Sequence, residues 1–136
     1  MGAWGIEPFD NDDAMDFLGT LEDSSDAAAM LATALDLDPA VDELDAPDAA
    51  EALAAAAVVA VLKTGETVDG VPENETGRIA ALPVSPTVAA ELASAAQAAL
   101  DRMVQPDSEL LALWDEVGEA EEWKATLLPI RAALSS

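Results

Sequence analysis

Residues 45–62 read DAPDAAEALAAAAVVAVL and contain the longest apolar run of the chain. Helix-initiation signals stand at the start, because Asp45 can cap the first turn, Pro47 fits inside it and Asp48 favours the positive end of the helix dipole. Residues 52–62 are then apolar without interruption, and a helix that is apolar on all sides is a buried one. A membrane span would need about 20 such residues. The segment therefore predicts a central helix that other helices surround.

Length and composition favour a single helical domain. The 136 residues are enough for one core, and 51% of them are hydrophobic. Alanine is abundant whereas aromatic residues make up only 4%, a composition that favours helices over sheets. We therefore expect residues 1–136 to form one all-α domain, a compact bundle of about five to six helices with an N-terminal arm packed on it.

The N-terminal arm leads into a helix start. Asp10 or Asn11 can accept a hydrogen bond from a backbone N–H of the first turn, as an N-cap does. Apolar residues then recur at helical spacing, which predicts a first helix with one buried face. Trp4 and Phe9 precede this helix, and we expect them to pack the arm against the bundle.

Three more helices are predicted in the C-terminal half. In the first of them, the residues spaced to form the buried face are Val88, Leu92, Ala96, Leu100 and Met103. Each of the other two carries a tryptophan, and aromatic residues at helical spacing are usually packing residues. The tryptophans that we expect in the core or at its rim are Trp114 and Trp123.

Residues 63–84 interrupt the helical pattern with three glycines and two prolines. We expect a long irregular loop here, between the central helix and the C-terminal helices. A loop of this length is either functional or mobile, and the sequence leaves both interpretations open. Arg78 lies in it and is expected to pair with a local acidic residue.

The charge of the chain is strongly one-sided. Its formal net charge is −23, from 28 acidic and 5 basic residues, and no Lys or Arg accompanies the 15 acidic residues before Lys63. Such a field repels phosphate backbones and anionic membrane surfaces, so we expect no direct binding of nucleic acid and none of membranes. It attracts basic proteins and cations. Solubility and adaptation to a salty cytoplasm are alternative explanations of the same charge.

The residue types that the chain lacks exclude several chemistries. Without Cys, His or Tyr, there is no thiol nucleophile, no Cys/His zinc site and no Ser-His-Asp triad. We expect no cofactor. The N-terminus has no signal-peptide pattern, so we expect a cytoplasmic protein, and the oligomeric state stays open.

Four aspartates between residues 10 and 16 begin like the calcium-binding loop of an EF-hand. The loop is not completed, because Met15 stands in place of the glycine and Leu21 in place of the final glutamate. We therefore interpret these aspartates as capping and helix-dipole residues, and we predict no metal site.

Three strings of residues carry a resemblance to a known family. They are WGIEPFDNDDA over residues 4–14, LDAPDAAEA over residues 44–52, and SELLALWDE over residues 108–116 with Glu122 and Trp123 after it. In this order they resemble a bacterial family, domain of unknown function 4259. The resemblance implies a small, mostly helical domain. It implies no activity, so no catalytic residues are transferred.

We carry three functional hypotheses forward. The first is a non-enzymatic module that binds a basic protein, as an immunity-type antagonist or as a mimic of nucleic-acid charge. The second is a divalent-cation-dependent enzyme with paired carboxylates, and the third is a self-associating structural module. We favour the first because the chain has no distinctive catalytic set. The candidate acidic surface comprises Asp12, Asp13, Asp16, Glu22, Asp23, Asp42 and Glu43 and, as a second cluster, Asp115, Glu116, Glu119, Glu121 and Glu122.

Overall fold

A computed structural model describes residues 5–37 and 43–136 of the chain. Within these ranges seven helices pack around one hydrophobic core, which confirms the expected all-α bundle. No helix in this part of the chain is long and apolar enough to cross a membrane. The helices are α1 (Asp12–Asp23), α2 (Ala27–Leu35), α3 (Ala46–Thr64), α4 (Glu73–Ala80), α5 (Pro86–Met103), α6 (Glu109–Glu116) and α7 (Ala120–Ser135).

The central helix is α3, as the alanine-rich run predicts. Every residue from Ala49 to Leu62 is buried except Glu51. α3 packs most extensively against α5 and also contacts all five other helices. Because nine of its nineteen side chains are methyl groups, neighbouring helix backbones can approach it closely.

The buried face of α5 differs from the expected one only in its first half, because Ala96, Leu100 and Met103 are buried as expected. Val88 and Leu92 are only half-buried, whereas Ala89 and Ala93 are buried together with Ala96. The sequence pattern places the larger apolar residues inside. Small side chains thus fill the first half of the buried face, and the larger Leu100 and Met103 fill its second half.

The prediction of an irregular loop over residues 63–84 is partly wrong. α3 continues to Thr64, and Gly65 ends it with a left-handed φ of 70°. A further helix, α4, then forms inside the stretch, so the structure has one helix more than the upper expectation of six. The reason is visible in α4 itself, because Ile79 is its only buried residue and Gly77 lies within it. A single buried apolar residue produces no helical periodicity in the sequence, so the helix is not predicted.

Asn11 is the residue that caps α1. Its side-chain Oδ1 accepts a hydrogen bond from Ala14 N at 2.8 Å. Asp10, the other candidate, accepts instead from Glu7 N at 3.3 Å and so stabilises the turn before the helix. Asp10 therefore stabilises the end of the arm, and Asn11 stabilises the start of the helix.

The aromatic residues within the described ranges lie in the core as expected. Phe9 is buried at the end of the arm, and Trp114 and Trp123 are buried in α6 and α7. Trp4, the second residue expected to hold the arm, lies outside the described residues. In the part of the chain that the structure shows, the arm packs through Phe9 together with the buried Pro8 and the half-buried Ile6.

A long-range contact joins the start of α3 to the start of α6. Leu44 N donates to Asp107 O at 3.1 Å, and Glu109 N donates to Leu44 O at 2.9 Å. Asp45, the expected cap of α3, makes no capping hydrogen bond with its side chain. Glu109 Oε1 accepts from Ala46 N at 2.8 Å in its place. The cap of the central helix is thus supplied by another helix.

We expect Glu109→Ala to lower the free energy of unfolding by about 1 kcal/mol, the usual cost of losing a capping acceptor. Glu109→Gln keeps an oxygen acceptor at the same position and should cost less. Urea denaturation of both variants measures the difference, with Glu116→Ala in the exposed last turn of α6 as the control. Equal losses for the alanine and glutamine variants would contradict a capping role.

Candidate functional site

All the predicted acidic surface residues that the structure describes are solvent-exposed. Those on α1 and before α3 are Asp12, Asp13, Asp16, Glu22, Asp23 and Glu43, and those around the α6–α7 turn are Asp115, Glu116, Glu119, Glu121 and Glu122. Asp42 lies outside the described residues. The two clusters are separate in sequence, and in the structure one lies on α1 and before α3 and the other around the α6–α7 turn.

The basic side chains compensate little of this charge. All five are engaged within the fold: Arg78 pairs with Glu22, Arg102 with Asp107, Lys124 with Glu121, Arg131 with Asp101, and Lys63 donates to the carbonyl oxygen of Ser136. The partner of Arg78 is 56 positions away rather than local. Its hydrogen bond lowers the pKa of the Glu22 carboxyl. Among the candidate acids, only Glu22 and Glu121 have a cationic partner in these pairs.

Two adjoining depressions in the N-terminal half form a groove. One, of about 420 Å³, lies between α1 and α2, and the other, of about 400 Å³, lies between the end of α2 and the start of α3. Thr33, Ala34 and Glu51 line both depressions, so the two lie side by side. We call this feature the acidic groove, and its remaining lining residues are Asp16, Phe17, Thr20, Ala29, Met30, Asp36, Leu37, Glu43, Leu44, Asp45 and Asp48.

Carboxylates and apolar side chains share the lining of the acidic groove. Phe17 and Leu44 are buried beneath it, and Met30, Ala34 and Leu37 are half-buried. No Lys or Arg lines either depression. The six carboxylates of the lining are Asp16, Asp36, Glu43, Asp45, Asp48 and Glu51.

Only Asp16 and Glu43 of these carboxylates belong to the predicted acidic surface. The sequence indicates Asp45 and Asp48 only as helix-start residues of α3. In the structure they also line the acidic groove. Glu51 is the single charged residue between Ala49 and Leu62. A lone charge in an otherwise apolar helix was the signal that could have marked this face of α3 as exposed. The other predicted acids lie outside this groove, and Glu122 lines a shallower depression of about 250 Å³ with Glu7 and Asp69.

Comparison with known families agrees with the resemblance of the three strings. The family model of a domain of unknown function, DUF4259, matches residues 2–126. The chain belongs to the DUF4259 family. The match covers every residue of the acidic groove. Comparisons with curated proteins and with solved structures found no match.

Glu51 has the most distinctive electrostatic position in this DUF4259 domain. Its pKa is raised, first by partial burial and then by the negative charges of Asp48 and Asp13. Asp13 lies on α1 and Asp48 on α3, so carboxylates from two helices repel one another beside the groove. A cation placed here would relieve that repulsion.

We expect Glu51→Gln to raise the free energy of unfolding at neutral pH by a few tenths of a kcal/mol, since solvent screening keeps the effect small. The raised pKa means that protonated Glu51 favours the folded state, and this contribution is lost as pH rises through the folded-state pKa. Below the unfolded value of 4.5 the wild type is protonated too, so the gain should vanish. Urea denaturation at neutral pH and below the unfolded pKa measures this gain in the free energy of unfolding. Glu91→Gln, on the exposed face of α5, is the control. Equal gains for the two variants would show only a net-charge effect.

The side chains of the groove offer hydrogen-bond acceptors and no free donors. Thr20 Oγ1 donates to Asp16 O at 2.9 Å, and Thr33 Oγ1 donates to Ala29 O at 3.0 Å. Both hydroxyl protons are thus used within the helices, and ionised carboxylates only accept. Among the described residues no three acidic side chains converge in a way that could hold a metal ion. The groove of this DUF4259 domain therefore suits a ligand that brings donors and positive charge.

Proposed function

We propose that this DUF4259 domain is a protein-binding module that takes a basic protein partner in the acidic groove. The observation that supports it is the composition of the lining, in which six carboxylates surround apolar side chains without a Lys or Arg. Carboxylates alone would hold any cation weakly in water, because solvent screens exposed pairs. Apolar surface beside them adds contact area that a partner can bury.

Charge and apolar surface contribute differently to such binding. A field of −23 charges steers a basic partner toward the domain and raises the association rate. Contacts with Met30, Ala34 and Leu37 would then slow dissociation, which is where most affinity differences arise. A domain of this kind can act as an antagonist that masks the basic surface of another protein, or as a regulator that competes with nucleic acid for it.

A tagged pull-down from a lysate of the source organism tests the proposal. The bait variants are a groove variant, carrying Asp16→Asn, Asp36→Asn, Glu43→Gln and Glu51→Gln, and a turn variant, carrying Asp115→Asn, Glu116→Gln, Glu119→Gln and Glu122→Gln. Both lose four negative charges, so the overall field is matched. An unrelated protein of equal acidity reports nonspecific capture.

We expect one partner to be retained at physiological salt by the wild type and the turn variant, and lost by the groove variant. The same protein on the unrelated acidic bait would mean that charge alone collects it. Equal retention by both variants would refute the groove as the binding site. No retained partner at all would leave the module without its proposed ligand and refute the function.

A further inference from the structure

The acidic groove is acceptor-rich in its side chains, and this limits the backbone conformation of any peptide that it takes. An extended peptide exposes its own N–H and C=O groups along its whole length. Its N–H groups could reach the carboxylates, but its carbonyl oxygens would meet no side-chain donor here, because Thr20 and Thr33 are already committed. Each carbonyl desolvated without a partner costs about 1–3 kcal/mol.

An extended peptide cannot satisfy these carbonyl oxygens by pairing with a sheet edge of the domain. The part of the chain that the structure describes has no β-strand, and the isolated bridge between Leu44 and Ser108 uses hydrogen bonds inside the fold. An extended peptide therefore has no ladder to join. A helix satisfies its own backbone and presents only side chains, so it fits an acceptor-rich groove without unpaired carbonyls.

We propose that the acidic groove is a docking site for a basic amphipathic α-helix of a partner protein, with the apolar face of that helix against the groove. This inference rests on the proposed function and adds the form of the partner segment. Residues at i, i+3, i+4 and i+7 of the bound helix occupy the two adjoining depressions. Lys and Arg side chains beside them reach the surrounding carboxylates while their apolar stems stay on the groove.

The lining of the groove matches such a helix in shape and in charge. Where the two depressions meet, Thr33 and Ala34 are short, which leaves room for a helix to lie close to α2. Met30 is half-buried in the first depression and can adapt to different apolar side chains. Glu51 borders both depressions, and a bound Lys or Arg would favour its ionised form against the burial and charges that raise its pKa.

Direct binding of two labelled peptides tests this inference without knowledge of the natural partner. The first is a helical peptide of about 18 residues, five turns, with leucines at i, i+3, i+4 and i+7 and lysines on the other face. The second has the same composition with the leucines redistributed so that no apolar face forms. Fluorescence anisotropy at physiological salt compares their affinities for the full chain. We expect the amphipathic peptide to bind at least about tenfold more tightly, a difference of 1.4 kcal/mol.

Equal binding of the two peptides would overturn the helical inference and leave the basic-partner function standing, since charge alone would then explain the affinity. Binding of neither peptide, with a partner still lost from the groove variant in the pull-down, would likewise overturn the helix while keeping the function. A pull-down without any partner would instead refute the function itself. The two proposals can therefore fail separately.

Substitutions within α2 test whether the peptide binds in the acidic groove. Ala34→Gln fills the point where the depressions meet, whereas Ala32→Gln makes the same change on an exposed face outside the acidic groove. We expect the first to remove the tenfold preference and the second to keep it. Thr33→Gln, at an exposed position that lines both depressions, gives a second test if Ala34→Gln does not fold. A preference that survives in the folded variants at both positions would overturn the assignment to this groove.

Discussion

Replacing Trp123 by alanine is expected to lower the free energy of unfolding by about 3–5 kcal/mol. The side chain is 1% exposed and is the largest of the fully buried ones in the described part of the chain. It stands in α7, which packs on α3, α5 and α6. Removing the indole would leave a cavity where several helices meet. Since domains are stable by only about 5–15 kcal/mol, this one change should remove much of the total.

Thermal and urea denaturation of Trp123→Ala measure this loss. Leu128→Ala is the matched control, because Leu128 lies in the same helix and is 62% exposed. The control should change the free energy of unfolding by less than about 0.5 kcal/mol, as exposed substitutions usually do. Similar losses at the two positions would contradict the packing of α7 against the bundle.

Enlarging an alanine at the core contact of α5 is also expected to destabilise the domain, by a smaller amount. Ala96→Leu adds three carbons at a position that is fully buried in the helix that packs most extensively on α3. Overpacking a filled core costs about 1–3 kcal/mol, because side chains leave their rotamers and backbones shift. The alanine-rich surface of α3 leaves little space to absorb the change.

The control for Ala96→Leu is Ala90→Leu, the same change at an exposed position of the same helix. Leucine and alanine have similar helix propensity, so the exposed variant should unfold close to the wild type. Calorimetric melting temperatures compare the two variants. If Ala96→Leu were tolerated as well as Ala90→Leu, the close approach of α5 to α3 would be wrong.

The sequence alone predicts the elements whose signals are local. The uninterrupted apolar run marks α3 as central because burial of a whole helix needs apolar residues on every side. Ser85 and Ser108 each accept a first-turn backbone N–H, at 3.2 and 3.4 Å, in the manner that their position before a helical pattern suggests. Proline removes a helical hydrogen bond and usually kinks or breaks a helix, yet α7 runs from Ala120 to Ser135 with Pro129 inside it.

The parts that the sequence does not predict depend on contacts between distant residues. The capping bond from Ala46 to Glu109 spans 63 positions, and the pair of Arg78 with Glu22 spans 56. Likewise, the acidic groove collects residues from α1, α2 and the start of α3, which no spacing along the chain reveals. Glu51 becomes a groove residue only because α1 and α2 leave that side of α3 uncovered.

We propose that the acidic groove, and not the general acidity of the domain, holds the partner. The measurement that tests it most directly is the dissociation constant of the retained partner at physiological salt for the wild type, the groove variant and the turn variant. We predict a loss of at least about tenfold for the groove variant, or 1.4 kcal/mol, and almost none for the turn variant. Equal losses for two variants of matched charge would contradict the claim and make binding a property of net charge.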